Sequence, residues 1–293
     1  MSAPRRRAGP AAARGARGAR RGARGGGAAQ PEVRGGGSGA RKTLQRVLSR
    51  AGACSRTAAR EAIAAGRVSV GGKVVRDPEA WVAESGAGVA LDGAPLRAAA
   101  PLFVLLHKPK DCVTTASDPQ GRRTVYDLLS GVPGWVGPVG RLDRDTSGLL
   151  LLTNDTALAD AITDPASHLP KTYRVKAATL LSDEQLDALR RGVTLSDGPT
   201  RPAVVERLRD GDHRSFVELT LTEGRNRQVR RMLQAVGSRV LELRRTGLGP
   251  LALAGLPAGR HRALTDAEVA ALRQAVGGPP RPARGGKRRA VRG

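Results

Sequence analysis

The sequence predicts an α+β protein, in which a small N-terminal α+β module precedes a larger domain built on a mostly antiparallel sheet with flanking helices. Three observations carry this expectation. Between residues 43 and 75, two short helical stripes of apolar side chains run into a hairpin pattern. From residue 102 onward, alternating or wholly apolar strand segments are interspersed with helical ones, as suits an antiparallel sheet that carries helices. At both ends, glycine, alanine and arginine stand in place of large apolar side chains, and such segments cannot bury enough surface to offset their chain entropy. The expected organisation is a disordered basic tail over 1–41, a small domain over 42–90, a larger domain over 101–277 and a second disordered tail over 278–293.

In the small domain, Leu44, Val47 and Leu48 fall at i, i+3 and i+4 and define a first short helix. Ser55 is placed to cap a second helix, in which Ala58, Ala62 and Ile63 form the stripe and Gly66 the stop. Residues 68–70 and 73–75 flank Gly71 and Gly72 as a hairpin with a two-residue turn. Arg46, Arg50, Arg56, Arg60, Arg67 and Lys73 stand beside these apolar positions, which gives the module one basic face.

The larger domain opens with an apolar strand at 102–107 and a short helix at 124–129. The run GLLLLT at 148–153 reads as a strand buried on both faces, followed by a helix from Asp155. Alternation marks a strand at 171–177, a helix follows at 183–191, and strands at 203–208 and 216–221. Val229, Met232, Leu233 and Val236 give residues 226–236 a helical stripe, 239–245 alternates again, and Thr265 caps a closing helix to residue 276.

The charge balance points to a polyanionic partner. The 293 residues carry a formal net charge of +24, and arginine supplies 43 of the 50 basic side chains. Residues 1–42 hold eleven basic residues against one acid, and residues 279–293 hold six against none, so the middle of the chain is itself basic. Each phosphate that such side chains neutralise releases condensed counterions. An arginine-rich, lysine-poor composition also suits a GC-rich genome. No apolar run approaches the roughly 20 residues needed to span a bilayer, and the N-terminus lacks the apolar core of a secretory signal, so a cytoplasmic location without membrane contact is expected. Cys54 and Cys112 stand far apart and the four histidines are scattered singly, which argues against a zinc site and against a disulfide framework.

The densest polar cluster is Gly140–Arg141–Leu142–Asp143–Arg144–Asp145–Thr146–Ser147–Gly148, a turn-rich loop leading into the buried strand. A loop held against such a strand places side chains accurately, as a catalytic group requires. Asp, Thr, Ser and Gly are also ordinary turn formers, so local reasoning alone leaves both readings open. The basic tails and module would equally suit a catalytically silent RNA-binding assembly factor. A nuclease would want a carboxylate cluster for metal or paired histidines, and the scattered histidines give it little support.

GRLDRDTSGLLLLTND (140–155) resembles the signature of pseudouridine synthases, in the branch that modifies ribosomal RNA and includes the RsuA type. LLHKPKDCVTTASDPQGRRTVYDLL (105–129), HLPKTYRVK (168–176) and EGRNRQVRRMLQAVG (223–237) resemble the branch's other motifs, in the same order. RKTLQRVLSRAGACSRTAAREAIAAGRVSVGGKVV (41–75) is similar to a small RNA-binding domain shared with some ribosomal proteins. Together these similarities span about residues 41–276.

The resemblance implies isomerisation of uridine in ribosomal RNA: uracil leaves its ribose, rotates, and rejoins through carbon instead of nitrogen. It implies no cofactor and no metal. Asp143 matches the catalytic aspartate, a carboxylate that can act as nucleophile or as base; the sequence does not choose between attack on the ribose, proton removal from it, and attack on the base. Arg230 matches the cation that pairs with this aspartate, and Arg225 and Arg227 are weaker candidates for the same neighbourhood, suited to phosphate. Tyr173 matches the tyrosine that stacks on the flipped base, and Arg141 the signature arginine that fills the vacated space or holds a phosphate. His107 stands where the branch often has Asn and is read as structural. The DPQGRRTV stretch and the long basic ends favour large-subunit RNA, with small-subunit RNA open. The implied partner is ribosomal RNA or a pre-ribosomal particle; because all the motifs lie within one chain, a monomer is expected.

Overall fold

The computed structural model describes residues 40–97 and 99–277. The basic tails expected over 1–41 and 278–293 lie outside these residues, except that Ala40 is described and Arg41 opens the first strand. The N-terminal module consists of β1 (Arg41–Thr43), α1 (Leu44–Arg50), α2 (Arg56–Ala64), β2 (Val68–Val70), β3 (Lys73–Val74), β4 (Trp81–Ala83), β5 (Val89–Leu91) and β6 (Ala94–Pro95). Ser55 caps α2, its hydroxyl accepting the Ala58 N–H at 3.1 Å. Leu44, Val47, Leu48, Ala59, Ile63 and Val68 are buried together as the module's own core.

Two sheets complete the module, β1 against β4 and the antiparallel order β3-β2-β5-β6. The Gly71–Gly72 hairpin is as the sequence predicts. A second hairpin, β5 to β6, turns on Asp92 and Gly93, both at positive φ. Its strands have three and two residues, too short for apolar periodicity to reveal.

The larger part follows as β7 (Phe103–Lys108), β8 (Gly137–Pro138), β9 (Ser147–Thr153), α3 (Thr156–Thr163), β10 (Lys171–Ala177), α4 (Asp183–Arg191), β11 (Thr194–Leu195), β12 (Gly198–Pro199), β13 (Val204–Asp210), β14 (Ser215–Leu221), α5 (Gln228–Ala235), β15 (Val240–Leu248), β16 (Leu251–Ala252), β17 (His261–Ala263) and α6 (Asp266–Ala275). The main sheet runs β13-β14-β10-β15-β9-β7-β17, with β16 beside β15 and β8 beside β9. Every pairing in it is antiparallel except β9 with β15, which meet in parallel through Ser147 and Gly148 alone. The expected helix at 124–129 is a single 3-10 turn, Val125–Leu128. The helix expected from 226 begins at Gln228, because Arg227 sits in the left-handed region at φ 47°.

Packing explains the leucine run. Leu149 and Leu151 pack with α3 and α6 residues such as Leu158, Ile162 and Leu272. Leu150 and Leu152 alternate to the other face and join Val104, Leu106 and Val125. All seven residues of β9 are buried, so the signature loop is anchored to the most completely enclosed strand of the sheet. A third cluster, with Val175, Val217, Leu219 and Leu243 from the sheet and Leu186, Val229 and Leu233 from α4 and α5, supports the other half.

Candidate active site

Asp143 lies in the loop between β8 and β9, at one side of a cleft of about 340 Å³. Tyr173 on β10 faces the same cleft, and Leu221, Leu243 and Val229 contribute apolar side chains to it. Tyr173 is half-buried, its strand partnered by Leu219 on one side and Arg245 on the other. A carboxylate, an aromatic ring and an apolar surface thus meet in one concavity, the combination a planar polar ring would require.

Buried groups beneath the loop fix its shape. Lys108, at the end of β7, is fully buried. Its Nζ donates to the carbonyls of Thr146 at 2.8 Å, Asp143 at 3.0 Å, Pro109 at 3.0 Å and Arg144 at 3.4 Å. Burial pushes its pKa down from 10.5 to about 8, against the opposing pull of Cys112, Asp143, Asp145 and Asp111. Thr114 Oγ1 donates to the Leu142 carbonyl at 2.9 Å, and the Asp111 N–H donates to the Arg144 carbonyl at 2.9 Å. Lys108 was not among the residues the sequence singled out. Its signal was a lysine closing an otherwise apolar strand, FVLLHK.

Gly148, where the loop becomes strand, is required on two grounds. Its φ is +115°, and a Cβ there would lie 2.2 Å from the Arg245 carbonyl oxygen and 2.5 Å from its nitrogen. Only glycine permits the close approach of β9 to β15.

The cations are arranged differently from the sequence expectation. Arg230, expected to pair with Asp143, instead pairs with Asp145 at 3.0 Å and also donates to the Asp145 carbonyl at 3.1 Å. Arg227 reaches both carboxylates, 3.6 Å from Asp143 Oδ2 and 3.3 Å from Asp145 Oδ2. The reason is local: the left-handed backbone at Arg227 delays α5, and the guanidinium leans over the loop. Burial works to raise the Asp145 carboxyl, but the Arg227 hydrogen bond and the charges of Arg230 and Arg227 outweigh it and hold the group below its ordinary value. Burial in turn lowers the Arg230 guanidinium, with Asp145 opposing.

Arg225 lines the same cleft, but its guanidinium is engaged by neighbouring groups. It donates to the carbonyls of Gly198 at 3.1 Å and Pro199 at 2.5 Å, and pairs with Glu223 at 3.2 Å. It braces the β11–β12 hairpin rather than presenting a free cation to phosphate. Arg141 is exposed and lines the cleft beside Asp143. His107 is buried and its Nδ1 meets the Leu256 carbonyl at 2.6 Å, the structural role expected of it.

The six module cations divide evenly. Arg50 pairs with Glu84 at 3.5 Å, Arg60 with Glu79 at 3.6 Å, and Arg67 with Asp92 at 2.6 Å. Arg46, Arg56 and Lys73 are exposed and make no ion pair among the described residues. Cys54 and Cys112 are free thiols, both raised above the ordinary value chiefly by burial. Among the described residues, no three His, Cys, Asp or Glu side chains are placed to hold a metal ion, and no helix is long and apolar enough to cross a membrane.

Comparison with known proteins decides the family. Residues 102–235 match the family described as RNA pseudouridylate synthase, and residues 42–82 match the S4 domain. The chain is 41% identical to the ribosomal large subunit pseudouridine synthase B of Bacillus subtilis, over 78% of this chain and 95% of that one. The chain belongs to the RNA pseudouridine synthases. This synthase is also 38% identical to ribosomal large subunit pseudouridine synthase B of Escherichia coli, over 81% of its own length and 84% of the relative's. A crystal structure of a pseudouridylate synthase superimposes with a TM-score of 0.58 at 31% identity, covering 79% of this chain and 99% of the other. The synthase is therefore an RNA isomerase of the type whose N-terminal part is an S4 RNA-binding domain.

Proposed function

We propose that this synthase isomerises a specific uridine of large-subunit ribosomal RNA, with Asp143 as the catalytic carboxylate. The observation that carries the proposal is the cleft itself: Asp143, held by a loop pinned from below, faces Tyr173 across an apolar surface. A cleft of about 340 Å³ takes one nucleobase, so the target uridine enters by leaving its stack. Tyr173 then offers it an aromatic face, which contributes roughly 1–3 kcal/mol per stacked base. Arg141, exposed at the same rim, fills the vacated place or meets the phosphate of the extruded nucleotide.

Asp143 acts on the ribose or on the base while Arg227 keeps a positive charge within 3.6 Å of it. Arg230 orders the same loop through Asp145. A guanidinium at this distance also helps fix the direction of the carboxylate. Arg46, Arg56 and Lys73 on the 42–90 domain meet RNA phosphates directly, whereas Arg50, Arg60 and Arg67 exchange a carboxylate for a phosphate to do so. The 101–277 domain carries the chemistry, every group of the site comes from one chain, and the working unit is a cytoplasmic monomer. The large-subunit assignment is supported by the Bacillus and Escherichia relatives named above.

The test is pseudouridine mapping of ribosomal RNA from cells lacking the protein, complemented with wild type or with Asp143→Asn. One large-subunit position should lose its modification and regain it only with wild type. An unchanged map, or rescue by Asp143→Asn, would refute the assignment.

A further inference from the structure

The chain between the S4 module and the main sheet is stitched down on both sides. Asn154, directly after β9, is buried at 4% exposure and spends its side-chain amide on this connection. Its Oδ1 accepts the Leu102 N–H at 2.7 Å, and its Nδ2 donates to the Ala100 carbonyl at 2.9 Å. One residue earlier, the Ala99 N–H donates to the carbonyl of Ala51, which caps α1 of the module, at 2.7 Å. Gly52 fits against the same joint at φ +74°, where a Cβ would lie 3.0 Å from both Ala99 Cβ and Asn154 Nδ2. α1 also packs on α3, which Asp155 caps. The Asp155 carboxylate is held in turn by Arg273 of α6 at 2.8 Å.

This joint lies at one end of β9, and Asp143 lies just before the other. The strand between them is seven residues long and buried throughout, so it spans about 23 Å at about 3.3 Å per residue. A rod enclosed on both faces transmits position with little give. We infer that Asn154 and Gly52 are positioning residues that lock the S4 module at a fixed distance from Asp143, so that RNA held on the module presents one uridine to the cleft. Neither residue touches the reacting atoms. They act on selection and affinity, because a loosened joint lowers the effective concentration of the target at the cleft once the module is bound.

Two measurements on the full chain test this. Spin labels at Ala87→Cys in the module and Asp212→Cys in the sheet, with Cys54 and Cys112 replaced by alanine, report the distance distribution without RNA. The distribution should be narrow in the otherwise native chain and broad after Asn154→Ala; an unchanged narrow distribution would overturn the inference. The kinetic arm rests on the ribosomal RNA reading above, whereas the distance arm does not, so the two can fail separately. On a ribosomal RNA fragment long enough to reach both parts, Asn154→Ala should raise KM about ten-fold with kcat unchanged. On a hairpin carrying only the target loop, both constants should stay at the wild-type values. Equal losses on both RNAs would make Asn154 a stability residue of the sheet and overturn the role.

Discussion

At the scale of single residues, the site depends on a cation that never meets the substrate. Lys108 holds the carbonyls of Asp143, Arg144 and Thr146 from a fully buried position, with a pKa lowered to about 8. As pH rises through 8, the ammonium loses a proton, a donor and its charge, and the loop loses its central tie. Activity at saturating RNA should therefore fall with a midpoint near pH 8. Stability should move the other way: the unfolded chain keeps this proton to about 10.5, so between the two values it binds more protons than the native state, and folding gains with pH from this group. A pH–rate profile together with denaturant melts at pH 7, 8 and 9 separates these trends. Lys108→Met should be at least about ten-fold slower at pH 7, with no alkaline limb near 8. A limb that persists in this variant would assign the ionisation to another group.

At the scale of elements, β9 and its entry decide whether the loop exists at all. Gly148→Ala places a methyl group 2.2 Å from a backbone oxygen of β15, at a φ that alanine resists. Backbone at this seam cannot move without separating the parallel pair, so the cost should be about 3 kcal/mol or more. A urea melt should show a lower midpoint, with pseudouridine formation lost in parallel; a midpoint within error of wild type would mean the seam yields more easily than its packing implies. How legible each element was follows from the same physics. β10 and α4 have the bounds that apolar spacing predicts, because each has one face on the core and one toward solvent, which periodicity reports. The caps at Ser55 and Thr265 were equally readable, since their chemistry is local. β4, β6, β11 and β16 were not, since strands of two or three residues carry no period. The site divides similarly: Asp143, Tyr173 and Arg141 do line one cleft. The pairing of Arg230 with Asp145, and of Arg227 with Asp143, depends on a left-handed residue at the start of α5 that no spacing rule announces.

At the scale of the whole molecule, the question is how +24 of net charge divides between holding RNA and choosing a site on it. Most of the excess lies in the first 42 and last 15 residues, which carry seventeen basic side chains against one acid. Charges of this kind contribute through counterion release, with a salt slope of about 0.7 per phosphate contacted on single-stranded RNA, and they carry no sequence information. Selection requires geometry, and the described geometry lies between Arg41 and Gly277: a cleft, a buried strand and a module docked at its end. Removing residues 1–41 and 278–293 should therefore weaken RNA binding at low salt and flatten the plot of log affinity against log salt. The modified uridine should stay the same. Filter binding between 50 and 300 mM salt, read beside pseudouridine mapping of the truncated enzyme, checks both halves. A shifted or additional modified position would mean that the tails take part in choosing the site, and that the distance set by β9 is insufficient to define it.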